Sequence, residues 1–316
     1  MPWEELAGAT VLVTGATGLV GSFLVECLLA RRAGPSTKVV VLSRDASRAA
    51  ARLAHHDPDR WRVLEHALDA PVTVPVQVDY VVHAGAPARP DELAADPVAA
   101  YVPNVLGTHH LLEWAASAGV ARFCFVSSGA ANGSVPPELD GYGEDRYGPV
   151  DPIDPYACYA ESKRMGEAAC MAWWRATGME TVVARLGHTY GPGLSRSDTR
   201  SFAQFVHCAV DGRDILLRSD GAARRPFCYL SDAITGLLTV LLVAPAGSAY
   251  FVVNDAAVCS IRELADLVAR LAPPPGIAVR EAHGGARGVH PPDDAGGALP
   301  SAARLRALGW SPRVAL

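Results

Sequence analysis

The sequence predicts an α/β chain: a doubly wound parallel sheet covered by helices on both faces, followed by a smaller C-terminal α/β part. Three observations predict it. Short runs that are almost wholly apolar alternate with stretches of helical periodicity up to about residue 187. Those runs lack the polar alternation of a half-exposed sheet, as parallel strands buried on both faces should. The first run, "TVLVTG", ends in a glycine turn that leads straight into a helix.

Composition sets the outer bounds. At 316 residues the chain suits one large or two modest domains. Half its residues are hydrophobic and 19% are charged, which fits a globular protein. A net charge of −5 speaks against a nucleic-acid partner. The seven cysteines show no C-x-x-C pair and no zinc-ligand spacing, so reduced thiols and no metal are expected. The first residues carry no basic segment followed by an apolar one, and the longest apolar run, Ile234 to Ala246, is short for a bilayer. The expectation is a cytoplasmic location without a membrane partner.

In order, "TVLVTG" reads as a strand and "LVGSFLVECLLARRAG" as a helix with a glycine stop. "KVVVLSRD" and "ASRAAARLAHH" repeat the pair. "QVDYVVHAGAP" is a strand that exits into small residues, "PVAAYVPNVLGTHHLLEWAASAG" one long helix, and "VARFCFVSSGA" another strand. "CYAESKRMGE" opens a helix and "ETVVARLG" a strand. Beyond Gly187 come a turn-rich loop, "HTYGPGLSRSD", then a helix, and a hairpin-like stretch, "ILLRSDGAARRPFCYLSD". Asp232 is the expected N-cap of a helix from Ala233 to Val243. "SAYFVVND" is a strand and "SIRELADLVARLA" a helix, while residues 284–300 are too rich in Gly and Pro to assign and are expected to form a mobile loop. The division expected is residues 1–187, completed by about 229–255, against 188–228 plus 256–316.

The turn "TGATGLVG" places Gly15, Gly18 and Gly21 between the first strand and first helix. Glycines there let backbone N–H groups approach a pyrophosphate, and the helix N-terminus attracts its charge. A dinucleotide is expected, held by Gly15, Thr17, Gly18, Leu19 and Val20. At the end of the second strand an acidic side chain suits the NAD ribose and an arginine the NADP 2′-phosphate. The chain offers Ser43, Arg44 and Asp45. Arg44 tilts the reading towards NADP, and Asp45 leaves NAD open.

Tyr159, Lys163 and Glu167 recur every four residues and so share one helix face. The glycines, the strand order and this Tyr-x-x-x-Lys spacing together resemble the extended short-chain dehydrogenases/reductases, the Rossmann-fold epimerases, dehydratases and decarboxylases of nucleotide sugars. "HAGAP", "NVLGT", "FVSSGA", "HTYGPG", "RRPFCYLSD" and "RLRALGWSP" add further ordered matches along nearly the whole chain. The resemblance implies cofactor contacts from Ala84, Gly85, Ala86, Asn104, Tyr159 and Lys163, and a C-terminal domain that binds a nucleotide-diphosphate sugar. Tyr159 is then the catalytic acid/base, Ser128 hydrogen-bonds the same sugar oxygen, and Lys163 holds the nicotinamide ribose. A free phenol has a pKa near ~10. A neighbouring ammonium favours its anion and is expected to lower that value. Glu167 reads as structural.

On the substrate side, the resemblance implies that Arg225 clamps the diphosphate, a task suited to a planar guanidinium. His188 either contacts diphosphate or sugar or merely packs, and Ala86, Ala88 and Gly187 are candidates to line the sugar pocket. Relatives form homodimers through two helices, for which Leu112, Trp114, Met171 and Trp174 are the candidates here. Three departures stand out. Asn132 replaces an aromatic residue that lines the nicotinamide pocket. Gly129 and Ala130 stand where 4,6-dehydratases carry Asp-Glu. UDP-glucuronate decarboxylases place a glutamate at Ala130, although "GPVDPIDPYACYAESKR" looks close to theirs. The expected activity is therefore NAD(P)-dependent epimerisation by transient oxidation of a sugar hydroxyl, most plausibly at C4. Alternatives are an NADPH-dependent keto-sugar reductase and, less favoured, a decarboxylase or a cofactor-binding protein without turnover.

Overall fold

The computed structural model describes residues 2–31, 34–87, 90–136, 141–154, 157–281 and 298–316. Most of the loop expected over 284–300, and Ala88 of the candidate sugar pocket, lie outside the described residues. The elements run β1 (Thr10–Thr14), α1 (Leu19–Ala30), β2 (Lys38–Ser43), α2 (Ala46–Leu53), β3 (Trp61–Glu65), β4 (Tyr80–His83), α3 (Pro90–Ala95), α4 (Pro97–Val102), α5 (Thr108–Ser117), β5 (Arg122–Ser128), α6 (Ala157–Thr177) and β6 (Glu180–Leu186). Then follow β7 (His188–Tyr190), α7 (Ser201–Asp211), β8 (Ile215–Leu217), β9 (Arg224–Tyr229), α8 (Leu230–Val243), β10 (Ser248–Val252), β11 (Val258–Ser260), α9 (Ile261–Leu271), β12 (Val279–Glu281) and α10 (Ala303–Arg306).

Seven strands form one sheet in the order β10-β6-β5-β4-β1-β2-β3, and every pairing in it is parallel. This is a Rossmann-type α/β fold. One apolar core joins the sheet to α1 and α8 through Leu24, Leu28, Leu237 and Leu241; a second joins it to α5 and α6 through Leu111, Leu112, Phe123 and Cys170. Burial on both faces is why the strands read as continuous apolar runs. A third core, around Phe202, Phe205, Ile215 and Phe227, holds the C-terminal elements. Among the described residues no helix is long and apolar enough to cross a membrane.

Several expectations are corrected. The helix expected over 97–119 forms over 97–117 but is not uniform: α4 passes through a wider π-helical turn at Pro103–Gly107 into α5, where Pro103 has no N–H for the helical ladder. The hairpin-like stretch is not a hairpin. β8 pairs in parallel with β12, whereas β9 lies between β7 and β11. Asp232 does not cap α8, which begins at Leu230; its buried carboxylate instead accepts from the N–H groups of Arg313 and Val314, both at 2.9 Å. β3 escaped the sequence reading: it is a half-buried edge strand in which Arg62 and Glu65 face solvent. Of the proposed dimer side chains two are buried and two, Met171 and Trp174, are half-buried. Leu112 and Trp114 are buried in the second core, Met171 packs against it, and Trp174 abuts Gly247.

Below the sheet edge, His83 ties three elements together. Its Nδ1 meets the Thr14 hydroxyl at 2.7 Å and its Nε2 the Thr108 hydroxyl at 3.1 Å. Burial, with a smaller push from the Lys163 charge, lowers its pKa from 6.5 to about 3. The unfolded chain therefore takes up a proton below pH 6.5 that the folded chain refuses until about pH 3. Stability should fall as pH drops through that window, by up to about 1.4 kcal/mol per unit from this group. Urea unfolding across the range checks this, with a shallower fall expected in His83→Gln.

Candidate active site

In a doubly wound sheet, ligands bind beyond the carboxyl ends of the strands, where the strand order reverses. Here that point lies between β1 and β4. Gly15 leaves β1 with φ +72°, and a Cβ there would stand 2.5 Å from the Ala84 carbonyl oxygen at the end of β4. Only glycine permits so close a crossing. The Thr14 hydroxyl accepts from the Gly85 N–H at 2.8 Å and so fixes the second wall of the crevice. α1 starts at Leu19 with Gly18 as its N-cap and no side chain capping it. Its first N–H groups thus face an uncluttered turn made of Gly15, Thr17, Gly18, Leu19 and Val20, with Ala84, Gly85 and Ala86 opposite. This donor set fits a pyrophosphate.

Beyond β2, Ser43 and Asp45 close a tight turn: the Asp45 N–H reaches the Ser43 hydroxyl at 3.2 Å. The Asp45 carboxylate caps α2 by accepting from the Arg48 N–H at 2.8 Å. Arg44 is exposed beside them. Asn104 lies buried in the turn before α5, and its amide donates to the Ser162 hydroxyl at 3.1 Å. It thereby anchors α6 next to Lys163.

Tyr159, Lys163 and Glu167 share the face of α6 that lies on β5, and Ser128 ends β5. A Cβ on Gly166 would stand 2.3 Å from the Phe125 ring, so this helix packs on the strand at a distance only glycine allows. Lys163 is buried and donates to the Val126 carbonyl at 2.9 Å. Glu167 holds Arg185 of β6 in a two-pronged pair, 2.9 Å to Nε and 2.7 Å to Nη2, and accepts from the Ser127 hydroxyl at 2.5 Å. Arg185 also donates to the Glu144 carbonyl at 2.8 Å and to the Tyr147 hydroxyl at 2.6 Å.

The electrostatics differ from the sequence expectation. Burial raises the Tyr159 phenol above its ordinary range, and a hydrogen bond with Ser128 and the positive charge of Arg200 work against that rise. Lys163 does not supply the lowering: its ammonium points to a carbonyl and lies 5.9 Å from the centre of the Tyr159 ring. Burial also lowers the Lys163 pKa to about 8, opposed by the Glu167 charge. Arg200 escaped the sequence reading because it sits in a polar loop without a motif. It is fixed by its two-pronged pair with Asp198, 2.6 Å at the closest, and by the Phe202 ring 4.7 Å from its guanidinium carbon.

On the C-terminal side, Arg225 in β9 is half-buried and His188 begins β7, exposed. The register sets His188 beside Phe227, two residues from Arg225, so both project from one face of the small sheet. The His188 ring stacks edge-on against Phe227 at 5.8 Å. Arg224 is exposed and pairs with Glu263 at 3.4 Å. Asn132 is buried in a tight turn after Ser128; its amide donates to the Arg146 carbonyl at 2.6 Å, and its Oδ1 has no partner among the described residues.

With this geometry in place, the comparisons carry weight. Residues 11–254 match the NAD dependent epimerase/dehydratase family. The chain belongs to that family. UDP-glucuronic acid decarboxylase 1 of Xenopus tropicalis is 30% identical over 232 residues, 73% of this chain and 53% of the relative, so the chain spans about half the length of that protein. UDP-glucuronic acid decarboxylase 6 of Arabidopsis thaliana is 29% identical over 310 residues, 97% of this chain and 85% of the relative. UDP-glucose 4-epimerase of Thermotoga maritima shares the fold at a TM-score of 0.80 and 20% identity, over 97% of this chain and 94% of that one. The dTDP-glucose 4,6-dehydratase DesIV of Streptomyces venezuelae, solved with NAD bound, matches at a TM-score of 0.77 and 26% identity, over 97% and 93%. The curated relatives carry the decarboxylase name that the Ala130 argument disfavoured, so the family does not by itself decide among these reactions.

Within this family member, the Glu167–Arg185 pair is the most exacting contact beneath the site. Both side chains are almost fully withdrawn from water, 10% and 1% exposed. Glu167→Gln leaves the Arg185 charge buried without its counter-ion and should cost about 3 to 5 kcal/mol of folding stability. Urea denaturation against the wild type measures it, and a loss below about 1 kcal/mol, the worth of a surface pair, would contradict the role given to this contact.

Proposed function

We propose that this chain epimerises a nucleotide-diphosphate sugar by transient oxidation of a ring hydroxyl. The observation that carries the reading is the meeting of Tyr159, Ser128 and Lys163 at the strand ends, with the methyl of Ala130 where dehydratases and decarboxylases are expected to keep an acid. A bound nicotinamide dinucleotide supplies the hydride acceptor and donor. Tyr159 takes the proton of the hydroxyl and returns it, Ser128 holds the same oxygen, and Lys163 orients the ribose beside them. Arg225 and His188 hold the diphosphate end. With no carboxylate at Ala130 to eliminate water or assist loss of carbon dioxide, rotation of the keto sugar and reduction from its other face is the reaction these residues serve.

Decarboxylation is the second reading, supported by the names of the relatives at about 30% identity. UDP-glucuronate, UDP-glucose and dTDP-glucose should be offered separately and the products read by mass spectrometry and NMR. A product of unchanged mass and inverted configuration supports epimerisation. Loss of carbon dioxide establishes decarboxylation instead, and stoichiometric oxidation of reduced nicotinamide establishes a reductase. Tyr159→Phe should lower turnover by about 10²- to 10⁴-fold.

Arg44 extends the reading to the cofactor. Asp45 commits its carboxylate to the α2 cap, which leaves Arg44 as the charged side chain for a 2′-phosphate. The dinucleotide released on denaturing the protein tests this: NADP supports the reading and NAD overturns it. The Lys163 charge sets the alkaline limit. Because its pKa is brought down to about 8, turnover should decline as pH rises through that value, as a pH–rate profile records.

A further inference from the structure

A second cluster of chemistry-bearing side chains lies apart from Tyr159 and the strand ends. Glu26, midway along α1, faces His55 and His56 in the turn after α2. The His56 Nε2 stands 2.8 Å from the Glu26 Oε2, and the His55 Nε2 stands 3.2 Å from the same oxygen. The two imidazoles lie 4.1 Å apart, tilted by 39°, and all three ligand atoms fall within 4.8 Å of one another.

The chain fixes this convergence from both sides. The His56 N–H donates to the Leu53 carbonyl at 2.9 Å, and Asp57 closes the next turn by accepting from the Asp59 N–H at 3.1 Å. Glu26 is held in the middle turns of α1. Adjacent residues on an irregular turn have no helical reason to aim both rings at one carboxylate oxygen, and a single ion pair would need only one of them. Zinc sits about 2.0–2.2 Å from imidazole nitrogens and carboxylate oxygens. A tetrahedral centre therefore spaces its ligands roughly 3.3 Å apart, and the two Glu26–imidazole separations of 2.8 and 3.2 Å already lie close to that spacing.

We propose that Glu26, His55 and His56 form a binding site for a transition-metal dication of the zinc class. Two imidazoles with one carboxylate suit zinc, cobalt, nickel or copper and not magnesium or calcium. Water fills the remaining coordination: Glu26 also borders a cavity of about 260 Å3 shared with Ala16, Ser22 and Arg52. The site's role is a clasp. It joins α1 to the turn after α2, and Arg52 of that same helix already donates to the Thr17 carbonyl in the glycine turn at 3.1 Å. Metal binding would thus brace the loop at the start of α1 without touching Tyr159, Lys163 or Ser128.

The test uses tag-free protein stripped with a chelator and dialysed. Zinc titrated by calorimetry should bind at one equivalent, raise the thermal midpoint, and be mimicked by cobalt with the absorption of a tetrahedral complex; magnesium should do neither. The double variant His55→Ala/His56→Ala should keep the metal-free midpoint and lose the zinc-induced shift. Should the double variant fold poorly, His55→Ala alone serves, since that ring is 60% exposed. A zinc response of equal size in these variants, or none in the wild type, overturns the proposal. Because thermal shift and calorimetry need no turnover, the result is independent of the epimerase reading.

Discussion

The buried pairing of Glu167 with Arg185 is the constraint on which the candidate site depends. It crosses from α6 to β6, and both partners are held further: Glu167 accepts from the Ser127 hydroxyl, and Arg185 donates to the Tyr147 hydroxyl and the Glu144 carbonyl. Two charges withdrawn from water are tolerable only when their geometry is saturated in this way. The consequence is positional: one turn before Glu167 stands Lys163, and one turn before that Tyr159. A helix clamped at Glu167 and pressed onto Phe125 at Gly166 cannot rotate without breaking the pair, so its other polar residues are delivered to the ends of the strands.

The same logic of close approach operates on the other side of the crevice. Gly15 passes against the Ala84 carbonyl, and Thr14 and His83 lock the strands that carry those residues. The glycine turn proposed to cradle a dinucleotide and the Tyr-Lys helix are thus two arms of one parallel sheet, meeting at the point where its strand order reverses. Neither arm has to move for the groups to face each other.

Much of this was legible because the signals are local. Apolar runs named six of the seven strands of the large sheet, since burial on both faces leaves no room for polar residues. The glycine turn and the Tyr-x-x-x-Lys spacing named both arms of the crevice. What escaped had no local signature. β3 carries Arg62 and Glu65 because an edge strand is half-wetted. The pairing of β8 with β12 joins segments more than sixty residues apart, so neighbouring runs suggested a hairpin that does not form. Arg200, whose charge acts on the phenol, comes from a loop without periodicity. The charge assigned to Lys163 failed for a subtler reason: sequence spacing places residues on a face but does not aim a flexible ammonium, and the Val126 carbonyl claims it.

That misassignment bears on what the site can do. A carboxylate at residue 130 would give a second group to exchange protons; in the proposed reaction the methyl there would leave Tyr159 both to take the proton and to return it. A single group can serve both directions only if neither of its states is strongly favoured. Burial alone would hold the phenol protonated. Ser128 and Arg200 oppose it, and the positive charge of an oxidised nicotinamide, if bound beside Tyr159, would act in the same sense before the hydroxyl gives up its proton and would be lost on reduction. The phenol would then be the more acidic beside the oxidised ring, where it must stand ready as the anion, and the more basic beside the reduced ring, where it holds the proton it has taken. In the proposed epimerisation, a reversible oxidation at one hydroxyl would match that alternation.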